Sequence, residues 1–394
     1  MVARLLFMLL ASTAFGGDLV VLRVGKVITM AADDAVHAPG MVVCEGGKLS
    51  YVGPPIDVPA GADLIDLPEA WCAPGLVDLH THIHGPGIND MVHAVNPELR
   101  ARPCVIPGNA QIKRGCAGGV TTLFGIPGSG TNMGGFGVLY KARVQSPTYE
   151  SVVLRDPGGL KVAQDSNPAR RNATDFGVSR AGMSWNLRDV ALRARAAKEQ
   201  GRFDPALEAL GQVMEGDLPV LIHTAGSEGV VNTARMWLVD FQTRCTISHG
   251  SFDGWKAAPA LAAMGCPVNH GPRTMDFSSS RNGRINGSGA EFVAAGVPLF
   301  SLNTDSPVVA EEEFFLQAAM SARYGADPYL MLKAMTANPA KVFGIDHRVG
   351  SLEAGKDADV VVWTGDPLDP RANARMVLIE GDIEYDRVRD GQLF

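Results

Sequence analysis

The sequence predicts an α/β fold, a TIM-like (β/α)8 barrel with a small β-sandwich made from the N- and C-terminal segments. Three observations carry that reading. Strand-like apolar runs alternate with amphipathic segments through the middle of the chain, the pattern of a parallel sheet covered by helices. Both ends instead show short β-branched runs broken by glycine, with no helical periodicity. The chain has 394 residues, enough for a barrel of about 250 residues and a second module.

In chain order, residues 1–16 read as a secretory signal. Arg4 and the terminal amine give a positive start, Leu5 to Leu10 an apolar stretch, and Ala14 and Gly16 stand three and one before a cut. Export to the periplasm or medium is the expectation. The alternative is a cytoplasmic protein whose first residues pack on the domain. No later run reaches roughly 18 apolar residues, so no membrane anchor is expected. LVVLRVGKVITM and MVVCEGGKLSYVG in 17–72 share a strand-and-turn texture with ADVVVWTGDP and ARMVLIEGDIEY in 346–394. Chain ends often meet, so these two stretches are expected to form one sandwich and to leave 73–345 to the barrel.

Eight barrel strands are expected at 75–82, 119–127, 135–141, 159–164, 218–224, 246–250, 266–271 and 297–305. Asp204-Pro205, Asp327-Pro328 and Asn338-Pro339 each offer an N-cap followed by proline in the first turn. Gly325 is the expected stop of the helix that begins near Glu311.

Composition is that of a soluble globular protein, with 46% hydrophobic and 20% charged residues. The net charge of −7 and the lack of any Lys/Arg run argue against a nucleic-acid partner, leaving a small molecule as the expected one. A homo-oligomer is compatible with the sequence. The six cysteines contain no CxxC pair, and Cys44, Cys245 and Cys266 fall in or beside strand-like runs, where buried thiols are expected.

The chemistry begins with His80 and His82, which alternate on one strand and so face the same way. An HxH pair alone says little, because most such histidines are ordinary half-buried rings. Its meaning comes from the other strand ends: His223 closes the fifth strand, His249 the sixth and Asp305 the eighth. In a closed barrel these four imidazoles and one carboxylate converge where active sites of the fold collect. The set suits zinc or a similar divalent ion.

These residues lie within motifs that resemble the amidohydrolase superfamily. Pro74-Gly75-Leu76-Val77-Asp78-Leu79-His80-Thr81-His82 resembles its entry motif, and GSLEAGKDADVVVW (350–363) its closing signature. PGSGTNMGGFGVLYK (127–141), GLKVAQDSNPAR (159–170) and NTDSPV (303–308) are similar to the imidazolonepropionase-related branch, many of whose members are exported. The resemblance implies hydrolysis of carbon–nitrogen bonds. It also implies His80, His82, His223 and His249 as metal ligands, with Asp305 as ligand and base. It makes Lys161 a candidate for the carboxylated lysine that bridges two metals, which sets the expected count at two ions per chain, or one without that bridge. Burial and nearby cations favour the neutral amine that captures CO2. One departure stands out. Members of that branch read Gly-Glu-Asn-Pro where this chain has Asp165-Ser166-Asn167-Pro168, which bears on substrate choice more than on metal.

His84 and His270 also lie near strand ends, and His270 and Arg273 are candidate substrate-binding residues, the arginine for a carboxylate. A bound divalent ion would acidify water and polarise the scissile carbonyl, while Asp305 moves the proton to the departing nitrogen. Two alternatives remain. A mononuclear deaminase on the same fold commonly carries Glu three residues after the fifth-strand histidine, where this chain has Gly226 and its nearest acid is Glu228. A barrel that serves only as a binding scaffold would have dropped ligands, and none of the expected ones is missing.

Overall fold

The computed structural model describes residues 19–145, 147–170, 176–276, 283 and 285–393. The secretory signal expected at 1–16 lies outside the described residues. No described helix is long and apolar enough to cross a membrane.

The two chain ends meet as expected, but hydrogen bonding joins them into one continuous sheet. Its path runs Asp382–Asp386, Ala374–Ile379, Val360–Trp363, Asp63–Pro74, Leu19–Ile28, Gly40–Glu45 and Lys48–Gly53, with Val36–His37 attached to Leu19–Ile28. Strand alternation divides its side chains between two cores. Val360 and Val362 pack with Leu22, Val42 and Leu378, whereas Val361 and Trp363 join the barrel core.

A second eight-stranded sheet forms a nearly closed TIM-like barrel. Its strands are β1 (Leu76–Thr81), β2 (Val120–Gly125), β3 (Met133–Lys141), β4 (Val153–Ala163), β5 (Val220–Thr224), β6 (Cys245–His249), β7 (Val268–His270) and β8 (Ser301–Leu302), neighbours in that order. All eight expected strands are present, yet the sheet is not all-parallel. β3 pairs antiparallel with both β2 and β4. The cause is the short link from Ile126 to Asn132, which contains Pro127, Gly128 and Gly130. A parallel return needs a crossover of a dozen or more residues, so this link can only fold back.

The reversal has a packing consequence. It carries Lys141, at the end of β3, to the terminal sheet. There its buried ammonium meets Asp357 at 3.0 Å and Asp359 at 2.5 Å. Burial would raise the Asp357 carboxyl, but Lys141, Lys48 and Arg348 outweigh it and hold it at about 2. The closing GSLEAGKDADVVVW segment thus supplies the carboxylates that clamp barrel to sheet. Lys141→Met should lower unfolding free energy by about 3–5 kcal/mol, because it strips a cation from buried carboxylates. Denaturant titration tests this, and a loss under about 1 kcal/mol would mean that Lys48 and Arg348 suffice.

Among the helix signals, Asp327 accepts the Leu330 N–H at 3.0 Å and caps Pro328–Lys333 as expected. Asn338 does not cap. Thr336 holds that position before Ala337–Phe343, and the Asn338 side chain donates to Phe300 O. Asp204 closes a turn on Ala206, and the next helix starts at Glu208. Gly325 has φ +106, the left-handed stop expected after Phe314–Arg323.

Candidate metal centre

Strand ends bring the expected ligands together at one mouth of the barrel. His80 lies within β1 and His82 just beyond it, while His223 is the last residue but one of β5 and His249 ends β6. Asp305 follows β8. His80 Nε2 lies 3.3 Å from Asp305 Oδ1, and His82 Nε2 lies 3.2 Å from the same oxygen. The His249 ring centroid is 4.4 Å from those of both His80 and His223. Two groups have ligand atoms all within 4.8 Å of one another: His80, His223 and His249, and His80, His82 and Asp305. Lys161 Nζ lies 3.2 Å from the Nε2 of His80, the residue common to both groups, and 3.3 Å from Pro127 O.

Hydrogen bonds on the far side of each ring fix what faces inward. His82 Nδ1 donates to Ile126 O at 2.9 Å and His249 Nδ1 to Gly271 O at 2.7 Å, since carbonyls only accept. His80 Nδ1 is 2.6 Å from Ser248 Oγ. With Nδ1 engaged in all three rings, Nε2 is the nitrogen that faces the centre, as in metal-binding histidines. Buried His249 Nε2 and His223 Nδ1 have no hydrogen-bond partner. Buried ring nitrogens without a partner, gathered beside a carboxylate, suit a cation, so the residues present fit a metal ion.

The electrostatics agree. Burial, with Lys161 and the neighbouring rings, pushes His80 well below its usual pKa, and burial with His249 and Lys161 does the same to His223. Burial takes His249 to about 4. Burial opposes ionisation of Asp305, but His82 and His249 hold its carboxyl below the usual range. At neutral pH this leaves three neutral imidazoles and one carboxylate, the forms in which such side chains can bind a metal. Two of them also hold left-handed backbone, His249 at φ +82 and Asp305 at φ +50, a conformation that clusters at functional sites.

Outside the ligands, a cleft of about 360 Å³ opens over His223, His249 and Asp305. Asp165, Arg170, Phe252 and Arg273 line it. Arg273 stacks on Phe252 with its guanidinium 5.4 Å from the ring centroid, and it makes no ion pair among the described residues.

Two further histidines lie outside the cleft lining. His270, a candidate substrate-binding residue, does not line it. Its ring is buried, with Nδ1 2.7 Å from His249 O and Nε2 2.8 Å from Ser288 Oγ, and it packs against Phe292. Through Nδ1 it ties to the His249 backbone, its register partner on the neighbouring strand. His84 is fully buried, and its nitrogens have no partner among the described residues. Gly125 makes room for it, since a Cβ there would lie 2.8 Å from the His84 ring.

Sequence reasoning missed Ser248, Thr304 and Glu311, whose hydrogen bonds hold the ligand strands. Thr304 stood inside the NTDSPV motif, and Ser248 beside a ligand; Glu311 carried no local signal.

Residues 196–388 match the amidohydrolase family. Imidazolonepropionase of Caulobacter vibrioides is 44% identical, over 82% of this chain and 87% of its own length. The chain belongs to the amidohydrolase family. Membership places it among hydrolases that act on carbon–nitrogen bonds. Amidohydrolase tasK of Hapsidospora irregularis is 26% identical over 88% of this chain, which spans 40% of that relative's length. A solved amidohydrolase from Thermotoga maritima MSB8 superimposes with a TM-score of 0.84 at 29% identity, covering 93% of this chain and all of its own.

Proposed function

We propose that the protein hydrolyses an amide, cyclic amide or peptide-like bond of a small carboxylate-bearing substrate at a zinc-type centre. The observation that carries this is the convergence of inward-facing Nε2 atoms on the Asp305 carboxylate beneath an arginine-lined cleft. His80, His82 and Asp305 would hold one ion. His223 and His249 would hold a second, with a carboxylated Lys161 between them. The ions, when bound, supply an acidified water and polarise the scissile carbonyl. Asp305 takes the proton from that water and returns it to the departing nitrogen. Ile126 O and Gly271 O keep His82 and His249 oriented through the cycle. Arg273 binds a substrate carboxylate at the cleft.

The deaminase reading gains nothing from the geometry. Glu228 has an 85% exposed side chain, faces Arg180 and does not line the cleft that His223 lines. In the organism we expect the chain to be exported and processed near Gly17.

Metal analysis of the purified protein, followed by a screen of N-acyl amino acids, dipeptides and lactams, tests the proposal. Zinc should accompany turnover of an acidic substrate. Arg273→Ala should raise KM for carboxylate-bearing substrates about tenfold or more while sparing neutral amides. Turnover that survives complete chelation would sink the metal-dependent reading.

A further inference from the structure

The seam where β8 meets β1 has no strand ladder, and buried polar side chains hold it. β8 is only two residues long and pairs with β7 alone. Beyond it, Thr81 and Ser306 form a single bridge, and the His82 N–H donates to Ser306 O at 2.8 Å. Asp78 Oδ1 accepts the His80 N–H at 2.8 Å. Its Oδ2 accepts the Thr304 N–H at 2.9 Å and the Thr304 hydroxyl at 2.6 Å. Glu311 Oε2 accepts the Thr81 hydroxyl at 2.9 Å and lies 3.3 Å from Thr304 Oγ1. The Thr304 hydroxyl in turn accepts the Ser306 N–H at 3.0 Å.

Asp78, Thr81, Thr304 and Glu311 are all buried, and neither acidic side chain has an ion pair among the described residues. Such burial is expensive, and apolar side chains would close the seam at lower cost. What the polar set achieves is placement. It grips the residues on both sides of Asp305, whose left-handed φ of +50 a non-glycine residue keeps only when its surroundings over-determine it. It also grips the backbone of His80.

We propose that the Asp78–Thr304–Glu311 cluster positions Asp305 against His80 and His82, with the Thr304 hydroxyl as its hub. The inference rests on the metal-site reading above. Thr304 and Glu311 touch neither metal nor substrate in this account and act through Asp305.

Zinc binding to the full chain, read by competition with a chromophoric chelator, tests it. The ion held by Asp305 is identified as the one lost in Asp305→Ala. Thr304→Val should weaken that ion about 10- to 100-fold, the usual effect of removing a partner that orients a ligand. Thr304→Ser, which keeps the hydroxyl, should bind within about threefold of wild type. Metal-free thermal unfolding of each variant separates placement from stability. Thr304→Val that melts earlier yet binds zinc as tightly as wild type would overturn the proposal. So would equal weakening by serine and valine. If valine prevents folding, Thr304→Ala, which only removes atoms, is read in the same way. A wild type that binds no zinc would instead bring down the metal-site reading itself, a result distinct from either variant outcome.

Discussion

Asp305→Asn should leave the protein folded and most of its metal bound while cutting kcat by at least about 10²-fold. Asparagine has nearly the same shape and keeps one side-chain oxygen for a bound ion, so the centre is preserved. What it lacks is a basic carboxylate. In the wild type, His82 and His249 hold that carboxylate below its usual pKa even though burial opposes its ionisation, so it is charged at neutral pH. Its Oδ1 lies 3.2 Å from His82 Nε2 and 3.3 Å from His80 Nε2, at the point where a nucleophilic water would be generated. Loss of the base should fall on kcat, with KM changing little, because the interaction lost is made in the transition state. Steady-state kinetics together with metal content separates this from loss of the ion. A variant with full metal and near wild-type turnover would remove Asp305 from proton transfer.

Lys161→Ala should lower bound metal from two ions per chain toward one and abolish most activity. Its ammonium is fully buried among histidine rings, and burial, against the pull of Asp305, brings the amine to about 7. A large neutral fraction at neutral pH can add to CO2, releasing one proton and leaving an anionic carbamate. That anion is what would let two divalent ions approach to about 3.5–4 Å, the spacing of two-metal sites. Without it, two bare cations so close would repel strongly in a barrel of low dielectric constant. Metal-free wild type should therefore need bicarbonate as well as zinc to recover fully, and Lys161→Ala should gain nothing from bicarbonate. Metal analysis and reconstitution kinetics check both points. One tight ion in the wild type and a fully active Lys161→Ala would end the binuclear reading.

Local pattern was enough wherever a residue's neighbours in sequence dictated its direction. Period-two alternation put His80 and His82 on one side of β1, and the same rule split Val360 and Val362 from Val361 and Trp363. All eight barrel strands were legible, because apolar runs bounded by turn residues are read from composition alone. The gathering of four histidines, Lys161 and Asp305 followed once those strands were closed into a barrel.

What failed to show in the sequence depended on direction and register. β3 is a good strand by pattern, but only the shortness of the Ile126–Asn132 link makes it run backwards and carries Lys141 to Asp357 and Asp359. His270 ends its strand as His249 does and stands beside it in register, yet its ring is tied to Ser288 and His249 O and does not line the cleft. Glu311 reaches Thr81 from a position 230 residues away in sequence. The sequence by itself therefore determined which elements form and which side chains could ligate a metal, because those depend on short-range sterics and burial. The tertiary structure alone decided which of those side chains meet and what holds them in place, because strand direction, register and long-range hydrogen bonds arise only when distant segments pack.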